Sequence, residues 1–404
     1  MADNAPLRRF SELSLTTWML LGISAGVLLG FTAPEVSRRL SLASTVFLRL
    51  IQSAVGPLMF GILVRAMAQA GPLGEMGKLG VAAIVYFEVV TAIALLVGAG
   101  AVWIARPGDA LDWSQLDVGV VAARMTAAEV MEKTVPASFL DSLAKGEVLP
   151  VVVFCLLFGA AANRSKESAR ESMAAFAGSV ADVMFEYTRF VMYLAPLAVC
   201  GALASTIAGG GWRTVAGLGQ FAATAWVAQL VFAVVVLGGA LALARVPWRA
   251  FLAASREPVM VAFATTSSAA ALPTTLTAMR SFGVPDSVLG VVVPLGLSFN
   301  LAGSTLHLAM AALFVAQAAR IDLGWGQVVL ILSTLKLTSK GVAGIPRANF
   351  IVLTGLFGMF GLPVAALPML LAIDPLIDMV RTSVNVFGHC VAPAVLMRWK
   401  GVAV

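Results

Sequence analysis

The stretch Asp374–His389, DPLIDMVRTSVNVFGH, decides how this chain is read. It lies in a long apolar segment, Leu362 to about Met397, that is otherwise built to span a bilayer. Read as a helix, it places Asp378, Arg381, Thr382, Asn385 and His389 on one stripe. Each of these side chains is costly in hydrocarbon unless it faces protein, water or a ligand. Two readings follow. In one, the stripe is a self-satisfied network in which Asp378 pairs with Arg381. In the other, it is a polar solute site, because ionisable groups at membrane depth mark functional positions. Arg381 then offers a planar fork to a carboxylate, and Asp378 accepts from an ammonium group. A ligand carrying both groups is an amino acid with an acidic side chain.

The composition agrees with a membrane setting. Of 404 residues 60% are hydrophobic and only 12% charged, which excludes a water-soluble domain and implies a polytopic membrane protein in contact with lipid. The net charge of +6 is no nucleic-acid footprint, since the basic residues sit in short loops. Cys155, Cys200 and Cys390 all fall in apolar stretches and read as small core residues, not as disulfide or zinc ligands. Arg8 and Arg9 precede the apolar run Thr17–Thr32, which reads as a first span, not a cleaved signal.

Expected spans are Leu15–Ala33, Ala43–Met67 (kinked at Pro57), Leu79–Ile104, Val148–Ala162, Ala174–Ile207 (with Pro196), Val215–Ala244, Ser287–Ala318 and the last apolar segment. The polar stretch Arg106–Glu147 carries Asp109, Asp112, Asp117, Glu129 and Glu132. Arg65, Lys78, Arg164, Lys166, Arg170, Arg245, Arg249 and Arg256 share a side with the N-terminus, which the positive-inside rule makes cytoplasmic. The C-terminus, with Arg398 and Lys400, returns to that side.

Two segments break the pattern. From Arg256 to Arg280 basic residues flank both ends, and Thr265, Thr266, Ser267 and Ser268 lie in the middle, as in a re-entrant hairpin. Gly326–Gly361 is a second such candidate, with the middle Ser339-Lys340-Gly341-Val342-Ala343-Gly344-Ile345-Pro346-Arg347. Between them, Asn300, Gly303 and Ser304 argue for local unwinding inside span seven. Interrupted segments in matching positions of inverted halves point to a midplane transport site.

The tip TTSSAAALP, the break FNLAGST, the tip SKGVAGIP and the stripe DMVRTSVNV resemble the dicarboxylate/amino acid:cation symporters, over nearly the whole chain from Pro57 through Tyr86-Phe87-Glu88 to the C-terminus. The resemblance implies an all-α membrane protein of eight transmembrane helices plus two re-entrant helical hairpins, with inverted repeats and elevator-type transport. It implies a homotrimer in the cell (inner) membrane. Residues 1–78 would be scaffold helices 1–2, and 79–105 a transport-domain helix. Residues 106–211 would be the extracellular loop and scaffold helices 4–5, and 212–404 the rest of the transport domain. Carried over, Arg381 would bind the substrate's side-chain carboxylate and Asp378 its amine, with Thr382 and Asn385 assisting. Ser267 and Ser268 of the first tip, with Ala343 and Gly344 of the second, would hold the main-chain carboxylate. Gly341, Pro346 and Arg347 would belong to the gate. Arg347 could also pair with Asp378 or the substrate during closure, or reach out to water at a rim.

The chain departs from the family at its sodium sites. Where members carry a sodium-ligating Asp in the break motif, this chain has Ala302. Where they carry one late in the last span, it has His389. Protons are the natural replacement, through His389, Glu88 or His307. The alternatives are a neutral polar filler at His389, a core histidine at His307 and an ion pair at Glu88. Thr91, Asn300 and Ser304 stand as residual ion-site candidates. The function expected is symport of glutamate or aspartate with a co-transported cation, protons before sodium, without another cofactor. A C4-dicarboxylate carrier is the nearest rival, and an uncoupled channel or substrate-binding sensor the rival of another class. No nucleotide loop and no nucleophile–base pair points to an enzyme.

Overall fold

A computed structural model describes residues 15–69, 77–111, 129, 132, 134–145, 147–339 and 348–399. Among them the regular structure is helical, without strands. In lipid a backbone must satisfy its polar groups internally, and helices do so segment by segment.

The helices are α1 (Leu15–Thr32), α2 (Pro34–Ala68), α3 (Gly77–Ala105), α4 (Phe139–Lys145), α5 (Val148–Arg164) and α6 (Glu167–Met192). Then follow α7 (Ala195–Val231), α8 (Gly238–Leu243), α9 (Trp248–Thr265), α10 (Leu272–Phe282), α11 (Asp286–Phe299) and α12 (Ala302–Ala318). The last are α13 (Trp325–Thr338), α14 (Ala348–Phe360) and α15 (Leu367–Leu396). Four stretches are long and apolar enough to cross a membrane: Pro34–Ala68, Gly77–Ala105, Ala195–Leu243 and Asp286–Ala318. The 30-residue α15 is kept out of that set by its polar stripe.

Several boundaries differ from the sequence expectation. α2 starts at Pro34, where proline is tolerated at the first helical position, and continues through Pro57. The stretch expected as span five divides into α6 and the start of α7, separated at Tyr193–Leu194 just before Pro196. Spans five and six are joined not by a loop but by a break at Gly211, whose φ of 58° and ψ of −148° suit glycine. Between α7 and α8, Phe232–Leu237 forms a π-helical stretch. Unwinding in span seven is confined to Asn300 and Leu301, while Gly303 and Ser304 lie in the first turn of α12. Asp112, Asp117 and the whole second tip from Lys340 to Arg347 lie outside the described residues.

α1, α5, α6 and α7 pack around α2. α3, α7, α9, α11 and α12 pack around α15, and α9 lies against α10 as a helical hairpin. α13 and α14 pack on each other and also reach α5. The core includes Phe87, Phe221, Phe232, Phe251, Phe314 and Phe357, all fully buried. The outside stays apolar: Leu96, Ile104, Val183, Phe190, Val234 and Leu243 are exposed, as are Trp103, Trp212, Trp248 and Trp325. Such a surface is covered by acyl chains, with the amphipathic indoles suited to the interfaces.

Small residues set the close crossings, as hydrophobic burial cannot draw helices together in lipid. A Cβ at Gly22 would fall 2.5 Å from the Pro196 carbonyl oxygen, and one at Gly61 would fall 2.7 Å from the Ala181 nitrogen. At the α3–α12 crossing, a Cβ on Gly98 would fall 2.3 Å from the Leu306 carbonyl oxygen. The obstacle is helix backbone, which cannot swing aside. Gly98→Ala is expected to destabilise the protein by about 1–3 kcal/mol through overpacking. Thermal denaturation in detergent checks this, and an unchanged midpoint would refute the close approach.

Candidate functional site

The α15 stripe is buried. Asp374, Arg381, Thr382, Asn385 and His389 are each no more than 5% exposed, and Asp378 is 9% exposed. Arg381 Nη1 donates to Asp374 Oδ1 at 2.9 Å, and Nη2 donates to Asp378 Oδ1 at 2.6 Å. The guanidinium is thus held between two carboxylates, a geometry that suits a planar fork. Thr382 Oγ1 donates to the same Asp378 oxygen at 3.0 Å. Asp374 is the member that sequence reasoning missed, since the stripe was read as beginning at Asp378. Its signal was available, since position 374 lies two helical turns before 381 and so on the same face.

Asn385 reaches α12. Its Oδ1 accepts from the Ser304 backbone N–H at 3.2 Å, and its Nδ2 donates to Ser304 Oγ at 3.0 Å. It therefore caps the helix that begins after the break, satisfying a backbone donor that has no intrahelical partner. Gln229 of α7 holds the same turn, donating from Nε2 to the Gly303 carbonyl at 2.8 Å. Sequence reasoning passed over Gln229, although an amide in the middle of an apolar span is a signal in itself. Gly303 permits this convergence: a Cβ there would meet the Arg381 carbonyl oxygen at 2.5 Å.

Asn300, at the break, donates from Nδ2 to the Gly388 carbonyl at 3.2 Å. Next to Gly388, His389 lies against Gly296, where an added Cβ would stand 3.4 Å from the imidazole Cδ2. Among the described residues His389 Nε2, Asn300 Oδ1 and Gln229 Oε1 are buried without a hydrogen-bond partner. His307, on α12, is 3% exposed and its Nδ1 is likewise without one. Its ring centroid is 6.1 Å from that of Phe221, and it lies within Coulombic range of Arg381 and Asp374.

The first tip follows α9. Thr266 adopts a left-handed backbone, φ 51° and ψ 32°, which costs a non-glycine residue about 1–2 kcal/mol. Ser267 Oγ accepts from the Ala270 N–H at 3.2 Å, and Ser268 is half-buried. Among the described residues neither serine bonds to the stripe. The hairpin itself touches α15 through Ser383 Oγ, which donates to the Val259 carbonyl at 3.4 Å, and through Ala262 and Ala271 packed with Val386. Ala343, Gly344, Gly341, Pro346 and Arg347 lie outside the described residues.

Glu88 is not an isolated carboxyl. It pairs with Lys336 of α13, whose Nζ stands 3.1 Å from Glu88 Oε2. The same ammonium donates to the Glu88 carbonyl and to Thr91 Oγ1. Lys336 too was passed over in the sequence.

The sodium:dicarboxylate symporter family model matches residues 15–399. The chain is 34% identical over 398 residues to the proton/glutamate-aspartate symporter of Escherichia coli (strain K12), covering 95% of this chain and 91% of that protein. It is 36% identical over 401 residues to the C4-dicarboxylate transport protein of Solibacter usitatus (strain Ellin6076), with 96% and 92% covered. Against the proton/sodium-glutamate symport protein of Geobacillus stearothermophilus it is 32% identical over 402 residues, with 96% and 95% covered. These names describe transporters, not enzymes, and they divide between acidic amino acids and dicarboxylates. A helical protein with an apolar exterior and a buried charged stripe, matched along nearly its whole length, this chain belongs to the sodium:dicarboxylate symporter family and is an integral membrane, cation-coupled transporter.

Proposed function

We propose that the chain is a secondary active symporter of acidic amino acids, glutamate or aspartate, driven by protons rather than sodium. One observation carries the reading: Arg381 is buried between Asp374 and Asp378 on a helix that the rest of the second half encloses. A guanidinium already held by carboxylates can exchange one of them for a substrate carboxylate, like for like, without being left uncompensated. The carboxylate displaced in this way, Asp378, then accepts from the substrate ammonium, with Thr382 beside it. The half-buried Ser267 and Ser268, with Ala343 and Gly344, hold the main-chain carboxylate, and Gly341, Pro346 and Arg347 form the gate.

Proton coupling draws its support from three features. His389 is a buried imidazole with Nε2 unpartnered. Ala302, without an oxygen ligand, starts α12. Of the relatives cited for glutamate, one is named for the proton and the other for the proton and sodium. Around this site the elements divide as α1, α2, α5, α6 and the start of α7 in a scaffold, and α3, α9–α15 and the end of α7 in a moving domain. The scaffold trimerises in the inner membrane with both termini cytoplasmic.

A second reading, C4-dicarboxylate transport, has an observation of its own. Asp378 Oδ1 already accepts from both Arg381 and Thr382, so a ligand without an ammonium group leaves no carboxylate unsatisfied.

The deciding measurement is uptake of labelled aspartate into proteoliposomes, with pH and sodium gradients imposed separately. Accumulation on a pH gradient without sodium is expected. Accumulation only with sodium would overturn the proton reading, and accumulation of succinate but not aspartate would overturn the amino acid reading. Arg381→Ala should lower aspartate uptake by about two orders of magnitude or more, since it leaves two buried carboxylates and a substrate carboxylate unpaired. Asp378→Asn should abolish aspartate uptake while sparing any succinate uptake. Initial rates measured from about pH 5 to pH 8, where an imidazole changes charge, should vary less in His389→Ala than in the parent. An unaltered profile removes His389 from coupling.

A further inference from the structure

Lys336 is the single charged residue of the apolar helix α13, WGQVVLILSTLKLT. A lysine on a lipid-facing helix would extend its stem toward water. This one turns inward, with its side chain 20% exposed, and spans to α3. There it meets oxygens from a single helical turn: the Glu88 carbonyl, Glu88 Oε2 at 3.1 Å and Thr91 Oγ1. Thr91 is 3% exposed, and its hydroxyl proton goes to the Phe87 carbonyl at 2.7 Å. A hydroxyl has one proton to give, so Oγ1 presents only lone pairs to Lys336. Among the described residues, the groups shown facing the ammonium are acceptors: a peptide carbonyl, a carboxylate and a hydroxyl oxygen.

That donor set is not what a surface ion pair needs. A carboxylate alone would serve, and an exposed pair contributes about 0–1 kcal/mol. Carbonyl, carboxylate and hydroxyl oxygens gathered within one turn are what a small monovalent cation takes in place of its hydration shell. We propose that the oxygens of Glu88 and Thr91 form a monovalent-cation seat between α3 and α13, which this chain fills with its own Lys336 ammonium. The tethered charge removes the need for a diffusible cation at that place. It also ties α13, the first arm of the second hairpin, to α3, because α13 cannot leave without stripping the seat of its cation. The inference rests on membership of a cation-coupled family and not on the choice of solute.

The test needs no solute and so stands or falls apart from the uptake experiments. Purified protein in detergent is melted in sodium, lithium and choline chloride at equal ionic strength. In Lys336→Met the tethered ammonium is gone, and sodium or lithium should raise the midpoint over choline by about 2 °C more than in the parent protein, the size expected for a ligand in tenfold excess or more over its dissociation constant. Adding Glu88→Gln to that variant removes the carboxylate and should abolish the gain. A Lys336→Met protein with no cation-specific gain over the parent would overturn the proposal, as would a gain that survives Glu88→Gln. Where Lys336→Met does not fold, Lys336→Gln, which keeps a polar stem, is put through the same comparison, and a flat response there overturns the proposal equally.

Discussion

A guanidinium buried at membrane depth is the constraint on which the second half of this protein depends. Arg381 is 3% exposed, and Asp374 and Asp378 hold it from successive turns of its own helix. Removing one partner of a buried pair leaves an uncompensated charge, at a cost of about 3–5 kcal/mol. The arrangement is therefore closed to chance openings. Under the proposed function an incoming carboxylate would take the place of one of these carboxylates, so that the guanidinium stays paired throughout.

Keeping that site dry requires close packing by helices that have no hydrophobic drive to meet in lipid. Glycines at the crossings supply it. Gly303 lets the start of α12 press on the α15 backbone, and Gly98 lets α3 press on α12. The backbone groups freed at the break are then taken by amides from elsewhere, Asn385 on the Ser304 N–H and Gln229 on the Gly303 carbonyl. A broken helix is tolerated at such depth only where protein or a cavity satisfies it. Among the described residues, the same region holds several of the buried polar atoms without partners, including His389 Nε2, Asn300 Oδ1 and Gln229 Oε1.

A second polar junction lies apart from this one. Lys336 and Glu88 join α13 to α3, positions separated by 248 residues in the chain. The first junction is local to one helix and its neighbours. The second bridges α13 to the long helix α3.

Much of this was legible beforehand. Apolar run length and the period of 3.6 residues pointed to most of the apolar helices, though not to the division of span five, and to the polar stripe of α15, the hairpin shape of Arg256–Arg280 and a break near Asn300, because these follow from local geometry and from the cost of polar groups in lipid. The family resemblance rested on the same motifs. Asp374 has the spacing to share the stripe but was left out of it, and packing shows it to be a partner of Arg381. The spacing put Asn385 on the stripe, and the tertiary structure adds its contacts with the start of α12. Gln229 and Lys336 were passed over in the sequence, since their partners lie 74 and 248 residues away. A helical sequence fixes which side chains share a face; which face meets which, and at what height, is set by the register of helices packed through their glycines, and that only the tertiary structure decides.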